Sequence, residues 1–206
     1  MKILKAVIFD FGGVMADEGF REGLKTIGIK NRLNPDNFFK IAEELIYQTD
    51  YIIGRTDEST FWNTLREKTG VTETDEELRE EILKRFTLRT KMINLVKKLK
   101  SSGLATAILS DQTNWLDEIN QKQLFYHHFD YIFNSFTLKK SKKDPSIFRD
   151  ACYAIGFKPE EVLFVDDNIE NIKRAEKEGL KVIHFKNIES FERELKKVSA
   201  SRKAKP

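Results

Sequence analysis

The sequence predicts an α/β protein whose core is a doubly wound parallel β-sheet, with a helical segment inserted after the first strand. From about Thr90 onward, short apolar runs alternate with helical patterns, as strands and crossover helices do in such a sheet. Near the N-terminus, residues 5–11 (KAVIFDF) are apolar on both faces, as in a buried parallel strand, and Gly12-Gly13 follow. Strand-like runs are absent over residues 16–86, which is too long for a simple crossover. We therefore expect an inserted helical cap domain.

Capping and periodicity signals predict where each element lies. In the inserted segment we predict helices at residues 36–48, 58–69 and 75–88, the last two preceded by Asp or Thr residues suited to capping. In the core we predict strands at residues 104–109, 131–134, 162–165 and 181–185, and helices at residues 92–100, 115–124, 145–155, 169–178 and 189–198. The resulting division is a Rossmann-like core of residues 1–15 and 87–198, a helical cap of residues 16–86, and a flexible basic tail of residues 199–206.

Composition excludes several classes of protein. The chain has 206 residues, of which 40% are hydrophobic and 16 are Phe, so it can build a sizeable core. The 36 Lys and Arg residues nearly balance the 33 Asp and Glu residues, which does not indicate a nucleic-acid partner. No apolar run approaches the length of a membrane span, and Asp10 interrupts the apolar start, so we expect neither a membrane partner nor a signal peptide. The single Cys152 excludes an intrachain disulfide and a Cys-based zinc site. We expect a soluble cytoplasmic protein, and the sequence carries no signal for its oligomeric state.

Polar residues follow the predicted strands, at the edge of the sheet where open α/β proteins bind ligands. They comprise acidic residues, a hydroxyl and a cation, namely Asp10, Ser110, Asp111, a lysine from the run at 139–143, and the pair Asp166-Asp167. A phosphoryl-transfer site needs such a set: a carboxylate nucleophile, oxygen ligands for a hard cation, and donors for phosphate oxygens.

Four motifs in order and spacing resemble those of the haloacid dehalogenase (HAD) superfamily of hydrolases. They are VIFDFGGV at residues 7–14, AILS at 107–110, a lysine shortly before DPSIF at 144–148, and VLFVDDN at 162–168, followed by Asn171 and Gly179. Together they cover the whole core. The length of the inserted segment is similar to that in subfamily I of the superfamily, which carries a helical C1 cap and includes sugar phosphatases.

The resemblance implies a magnesium centre. Asp10 would be the nucleophile that becomes an aspartyl phosphate, and it would also bind Mg²⁺. Asp167 would be the second carboxylate ligand, and Asp166 a supporting ligand or a hydrogen-bond acceptor behind it. The backbone carbonyl of Gly12 would complete the protein ligands.

The resemblance also implies a phosphate site. Ser110 and neighbouring backbone N–H groups, with Gly12 and Asp111 beside them, would hold the phosphate oxygens. Lys142 aligns best with the lysine of the family and would offset charge on the nucleophile and the phosphate, with Lys143 as the alternative. The expected substrate is a small phosphorylated metabolite.

One position departs from the family pattern. Phosphatases of the family usually carry a second Asp two residues after the nucleophile, where it protonates the leaving group and then activates water, and here that position is Gly12. Three interpretations follow: a phosphatase whose substrates have good leaving groups, a 2-haloacid dehalogenase-like hydrolase, or a catalytically impaired regulatory protein that binds phosphate and Mg²⁺. The acidic pair Asp166-Asp167 favours the phosphatase, because dehalogenases of the family have no need of Mg²⁺. If another residue supplies the proton, Asp17 and Asp111 are the candidates.

Several of these residues also have a purely structural interpretation. Asp10 would then be a turn residue, Ser110 a helix cap, and Asp166-Asp167 part of an N-cap cluster. In the cap, Phe20, Arg21 and Arg55 are the residues that we expect to face the site, with a plain surface arginine as an equal alternative for Arg55.

Overall fold

A computed structural model of the chain describes residues 3–200, and side chains up to residue 198. Its sheet has five parallel strands in the order β3-β2-β1-β4-β5. The strands are β1 (Ala6–Phe9), β2 (Ala105–Ser110), β3 (Tyr131–Asn134), β4 (Val162–Asp166) and β5 (Lys181–His184). The helices are α1 (Gly19–Lys30), α2 (Pro35–Gln48), α3 (Glu58–Thr69), α4 (Asp75–Leu83), α5 (Thr90–Ser101), α6 (Trp115–Gln123), α7 (Ser135–Leu138), α8 (Ser146–Ala154), α9 (Ile169–Lys177) and α10 (Ile188–Ala200). The predicted doubly wound α/β fold is confirmed. The predicted tail began too early, because residues 199–200 belong to α10, and residues 201–206 lie outside the described residues.

The central strand β1 sets the position of the site. It pairs with β2 on one side and β4 on the other, with Ile8 opposite Ala107 and Phe164. The chain runs outward from β1 to β2 and β3, and then returns to build β4 and β5 on the opposite side. The order of strands therefore reverses between β1 and β4, and a crevice opens at their carboxyl ends, which is where open α/β sheets bind ligands.

The segment between β1 and β2 is helical, as predicted, and contains one α-helix that the sequence pattern did not indicate. Helix α1 carries Gly19, Gly23 and Gly28, which weaken helix propensity. Gly23 packs so closely on α4 that a Cβ there would lie 2.6 Å from the Cα of Ile82. Packing between helices, not propensity, therefore stabilises α1.

Aromatic side chains join the helical segment to the core. Trp62 of α3 stacks on Trp115 of α6, with ring centroids 5.7 Å apart, and Tyr51 packs edge-on against the same Trp115 ring. These residues belong to one buried cluster that includes Val7 and Phe9 of the sheet. The division into core and cap domains stays a prediction, because this cluster runs through both.

A second buried cluster covers the other face of the sheet. Ile8 and Phe164 pack there against α8, where Phe148 and Cys152 are fully buried. Among residues 3–200, no helix is long and apolar enough to span a lipid bilayer.

Candidate active site

Three carboxylates meet at the carboxyl ends of β1 and β4. The pairing of Phe9 with Val165 puts the residues that follow them side by side, and the N–H of Asp10 donates to the Val165 carbonyl over 2.8 Å. One oxygen each of Asp10, Asp166 and Asp167 lies within 4.8 Å of the others. Asp10 precedes the adjacent Asp166 and Asp167 by 156 positions or more in the sequence, and the parallel register of β1 and β4 brings it beside them.

Lys142 enters this cluster from the loop before α8. Its Nζ lies 2.7 Å from Asp10 Oδ1 and 2.8 Å from Asp166 Oδ2, and its side chain is only 1% exposed. The neighbouring Lys143 packs instead with its Nζ over the ring of Tyr47. Of the two lysines considered from the sequence, Lys142 is the one in contact with the acidic cluster.

The cluster carries more negative than positive charge. Burial raises the pKa of Asp10 well above its ordinary value; Lys142 pulls it down, and Asp166 and Asp167 push it further up. Burial and the charge of Asp166 likewise raise the pKa of Asp167. Burial alone would lower the pKa of Lys142, yet Asp10 and Asp166 outweigh that effect and keep the ammonium charged. With all three carboxylates ionised against one ammonium, two negative charges remain uncompensated.

The donor set fits a divalent cation with a preference for oxygen ligands, such as Mg²⁺. Asp166 is already committed, since its Oδ1 accepts from the Asn168 N–H at 2.7 Å and its Oδ2 accepts from Lys142 and from Asn171. Asp10 and Asp167 are therefore better suited to hold the ion directly, and Asp166 to orient the cluster. These metal roles stay predictions.

The predicted phosphate-binding residues lie beside the cluster. Ser110 is buried at the end of β2 and lines the same cavity as Asp10 and Gly12. Asp111 Oδ1 accepts from the backbone N–H of Lys142 at 2.8 Å, and its Oδ2 accepts from the Tyr47 hydroxyl at 3.1 Å. Both carboxylate oxygens of Asp111 thus accept hydrogen bonds that connect the Lys142 loop to α2. The group of Asp111 that remains for a phosphate is its backbone N–H.

A cavity of about 640 Å³ covers the cluster, between the strand ends and the inserted helices. Phe20 and Arg21 line it, as expected from the sequence. Arg55 does not: it lies elsewhere on the surface, with its Nη1 3.5 Å from Asp50. With 62% of its side chain exposed, Arg55 is the plain surface arginine that was the alternative from the sequence.

A family model for haloacid dehalogenase-like hydrolases matches residues 4–179, most of the chain. The chain belongs to the haloacid dehalogenase-like hydrolases. Among curated relatives, bifunctional epoxide hydrolase 2 of Rattus norvegicus is 30% identical over 117 residues, which are 53% of this chain and 21% of that protein. The chain thus spans about a fifth of the length of that relative.

Solved structures share the fold of this HAD hydrolase. A HAD family enzyme of Bacteroides thetaiotaomicron superposes with a TM-score of 0.74 at 22% identity, covering 94% of this chain and 99% of that one. The same enzyme in complex with magnesium and inorganic phosphate gives a TM-score of 0.69 at 23% identity, over 89% and 94% of the two chains. L-2-haloacid dehalogenase of Xanthobacter autotrophicus, with chloropropionic acid covalently bound, gives 0.67 at 19% identity, over 99% and 85%.

Among the cavity residues of this HAD hydrolase that the sequence did not indicate, two contact or face the predicted site residues. Tyr47 of α2 anchors Asp111, and Glu18 caps α1, where its Oε1 accepts from the Arg21 N–H at 3.2 Å. Burial raises the pKa of Glu18, and the charge of Asp167 adds to the increase. Neither residue belongs to a motif, and α1 was not predicted, so no signal in the sequence places Glu18 at the site.

Proposed function

We propose that this HAD hydrolase is a Mg²⁺-dependent phosphatase that acts on a small phosphorylated metabolite through an aspartyl phosphate on Asp10. The observation that carries the proposal is the cluster of Asp10, Asp166 and Asp167 around the single ammonium of Lys142. With its three carboxylates ionised, the cluster has two uncompensated negative charges, which suits a divalent cation and would repel an anionic substrate without one. The Bacteroides thetaiotaomicron relative that binds magnesium and inorganic phosphate supports the same chemistry.

In the proposed reaction, a carboxylate oxygen of Asp10 attacks phosphorus and the bond from phosphorus to the leaving oxygen breaks. Water then attacks the aspartyl phosphate, which releases inorganic phosphate and restores the Asp10 carboxylate. Lys142 holds Asp10 in position and offsets its charge and that of the phosphate. Bound Mg²⁺ would supply the charge neutralisation that lets the dianionic phosphate approach the carboxylates. Ser110 and nearby backbone N–H groups would hold the phosphate oxygens.

The test is a panel of phosphorylated metabolites assayed for phosphate release with Mg²⁺ and with a chelator. We expect release that needs Mg²⁺, and none from Asp10→Asn, which keeps the shape of the side chain and removes the nucleophilic charge. Asp167→Asn should weaken Mg²⁺ binding measured by titration calorimetry. Metal-independent halide release from 2-haloacids would support the dehalogenase interpretation instead. Binding of a phosphate mimic with Mg²⁺ but no turnover of any substrate would support the regulatory one.

A further inference from the structure

The side chain that the family places two residues after the nucleophile is missing here, yet the space that it would occupy is not empty. We propose that Glu18, at the N-terminus of α1, supplies the general acid and base that Gly12 lacks. The inference rests on the proposed phosphatase function and assigns a second catalytic carboxyl group to the same site.

The position of the Glu18 carboxyl group carries the inference. A Cβ built on Gly12 would lie 3.3 Å from Glu18 Oε2 and 3.9 Å from its Cδ. The Glu18 carboxyl group therefore stands in the region that a carboxyl group on residue 12 would reach. It lines the cavity together with Asp10 and Asp167.

The turn after β1 brings Glu18 back to Gly12. The N–H groups of Met15 and Ala16 both donate to the Phe11 carbonyl, at 2.8 and 2.9 Å, which reverses the chain. The ring of Phe86 lies 3.4 Å from the same built Cβ and bounds the space on another side. A carboxyl group six residues away in sequence is thus held beside residue 12 by the turn and by packing.

Capping α1 does not account for the whole carboxyl group. The capping hydrogen bond from the Arg21 N–H goes to Oε1, whereas the oxygen nearest the Gly12 position is Oε2. One oxygen can therefore orient the group while the other serves the reaction. A carboxyl group fixed by a backbone bond is also better positioned for proton transfer than a freely rotating one.

The other acidic residues near the cavity are less suited to the role. Asp17 points outward, with a side chain 58% exposed and 3.2 Å from Arg89 Nε. Both oxygens of Asp111 accept hydrogen bonds from the protein. Glu43, Glu44 and Glu170 also line the cavity, but they are exposed residues of its rim.

The proposed steps balance in atoms and electrons. As Asp10 attacks phosphorus, the bond to the leaving oxygen breaks with its electron pair on that oxygen, and Glu18 donates its carboxyl proton there, releasing an alcohol. Water then attacks phosphorus of the aspartyl phosphate, the bond to Asp10 breaks, and the Glu18 carboxylate takes one proton of that water. Glu18 ends protonated and Asp10 ends ionised, as both began.

The test compares substrates with poor and good leaving groups in Glu18→Gln. The amide keeps the size of the side chain and an oxygen for the Arg21 N–H but has no acidic proton. We expect wild-type protein to hydrolyse alkyl phosphates, and Glu18→Gln to lose about 10²–10⁴-fold on them but clearly less on aryl phosphates. With an aryl phosphate the variant should accumulate phosphorylated Asp10, seen by mass spectrometry of the Asp10 peptide, because activation of water is also lost. Glu22→Gln, an exposed residue on the next turn of α1 that is not in the cavity, is the matched control and should behave as wild type.

A rescue experiment separates catalysis from structure. Gly12→Asp added to Glu18→Gln should restore much of the alkyl phosphate rate, because it returns a carboxyl group to the same region. Equal losses on alkyl and aryl substrates, with no accumulated phosphoenzyme and no rescue, would show that Glu18 only caps the helix and would overturn the assignment. Wild-type protein that releases no phosphate and forms no phosphoenzyme would instead contradict the phosphatase itself, and Glu18 with it.

Discussion

Lys142 is the only cation in contact with the acidic cluster among the described residues, so replacing it tests the electrostatics of the site directly. The change is Lys142→Met, which keeps an apolar chain of similar length and removes the ammonium. In the wild-type protein that ammonium lies 2.7 Å from Asp10 and 2.8 Å from Asp166. We predict a large loss of stability in metal-free protein.

The size of the loss follows from the geometry. At these distances each contact is worth about 6 kcal/mol in a medium of effective dielectric constant about 20, a gross attraction that the desolvation of both ions largely offsets. Removing one partner of a buried pair leaves the other uncompensated, which costs about 3–5 kcal/mol. The lower end is expected here, because the pKa of Asp10 is already raised and the carboxyl group can take up a proton instead.

The dependence on pH and on metal has a definite sign. Losing Lys142 removes the interaction that lowers the pKa of Asp10, so that pKa rises further. An acid whose pKa is higher in the folded than in the unfolded state favours folding when it is protonated. This contribution is fully present below the pKa of the unfolded state and is lost as the pH rises through the pKa of the folded state. The deficit of Lys142→Met should therefore shrink as pH falls. Mg²⁺ should stabilise the variant more than the wild-type protein. With the three carboxylates ionised, the net charge of the cluster is −3 in the variant and −2 in the wild-type protein.

The assay is urea unfolding at neutral and acidic pH, with a chelator and with Mg²⁺. Lys143→Met is the matched control: Lys143 stacks on Tyr47 at the cavity instead of meeting the acids, and should cost only about 0.5–1 kcal/mol. Equal losses for the two variants at neutral pH without metal, or a deficit that grows on acidification, would refute the reasoning.

Two further predictions concern the stability effects of other residues. Gly13 has φ of 78° and a built Cβ there would collide with the Asp167 carboxylate, whereas Gly70 has φ of 77° with nothing within 4 Å. Both changes to Ala should therefore cost about 1–3 kcal/mol from backbone strain, but Gly13→Ala should cost more in urea unfolding and alone should weaken Mg²⁺ binding in calorimetry. Burial would raise the pKa of Glu81, but hydrogen bonds from three basic side chains outweigh this and hold it at about 2. Glu81→Gln should thus cost about 1–2 kcal/mol at pH 7, and the difference from wild type should vanish as pH falls toward 2; a difference that persists at low pH would exclude the ion pairs as its cause.

The sequence predicted all five strands, because parallel strands buried on both faces appear as short runs of mostly apolar residues. Strand β3 (Tyr131–Asn134) has the predicted limits, and the others differ by one or two residues. The sequence pattern did not predict α1, because its three glycines lower the helix propensity and the packing of Ile82 against Gly23, which stabilises the helix, has no local signal. The helix predicted to reach residue 88 ends at Leu83, because the chain turns there and Leu88 returns to pair with Ala16.

Site residues that follow a strand or belong to a motif could be predicted, and those that depend on packing could not. Asp10, Asp166 and Ser110 follow or end neighbouring strands, and the register of a parallel sheet alone brings them together. Lys142 could be placed from its motif. Glu18 depends on the turn after β1 and on the packing of α1 against Phe86, neither of which has a periodic signal.

The two adjacent glycines after Asp10 serve different purposes, which yields a last prediction. Gly13 needs its positive φ, but Gly12 lies outside that region, so its backbone would accept a side chain. What opposes a side chain at residue 12 is Glu18 Oε2 at 3.3 Å and the Phe86 ring at 3.4 Å. Gly12→Asp in the wild-type background would therefore press two carboxyl groups together, and we expect it to raise the alkyl phosphate rate little or to lower it. In Glu18→Gln the same change meets a neutral amide, and the rate should rise. If Gly12→Asp accelerates both backgrounds equally, then Glu18 does not occupy the position of the missing acid.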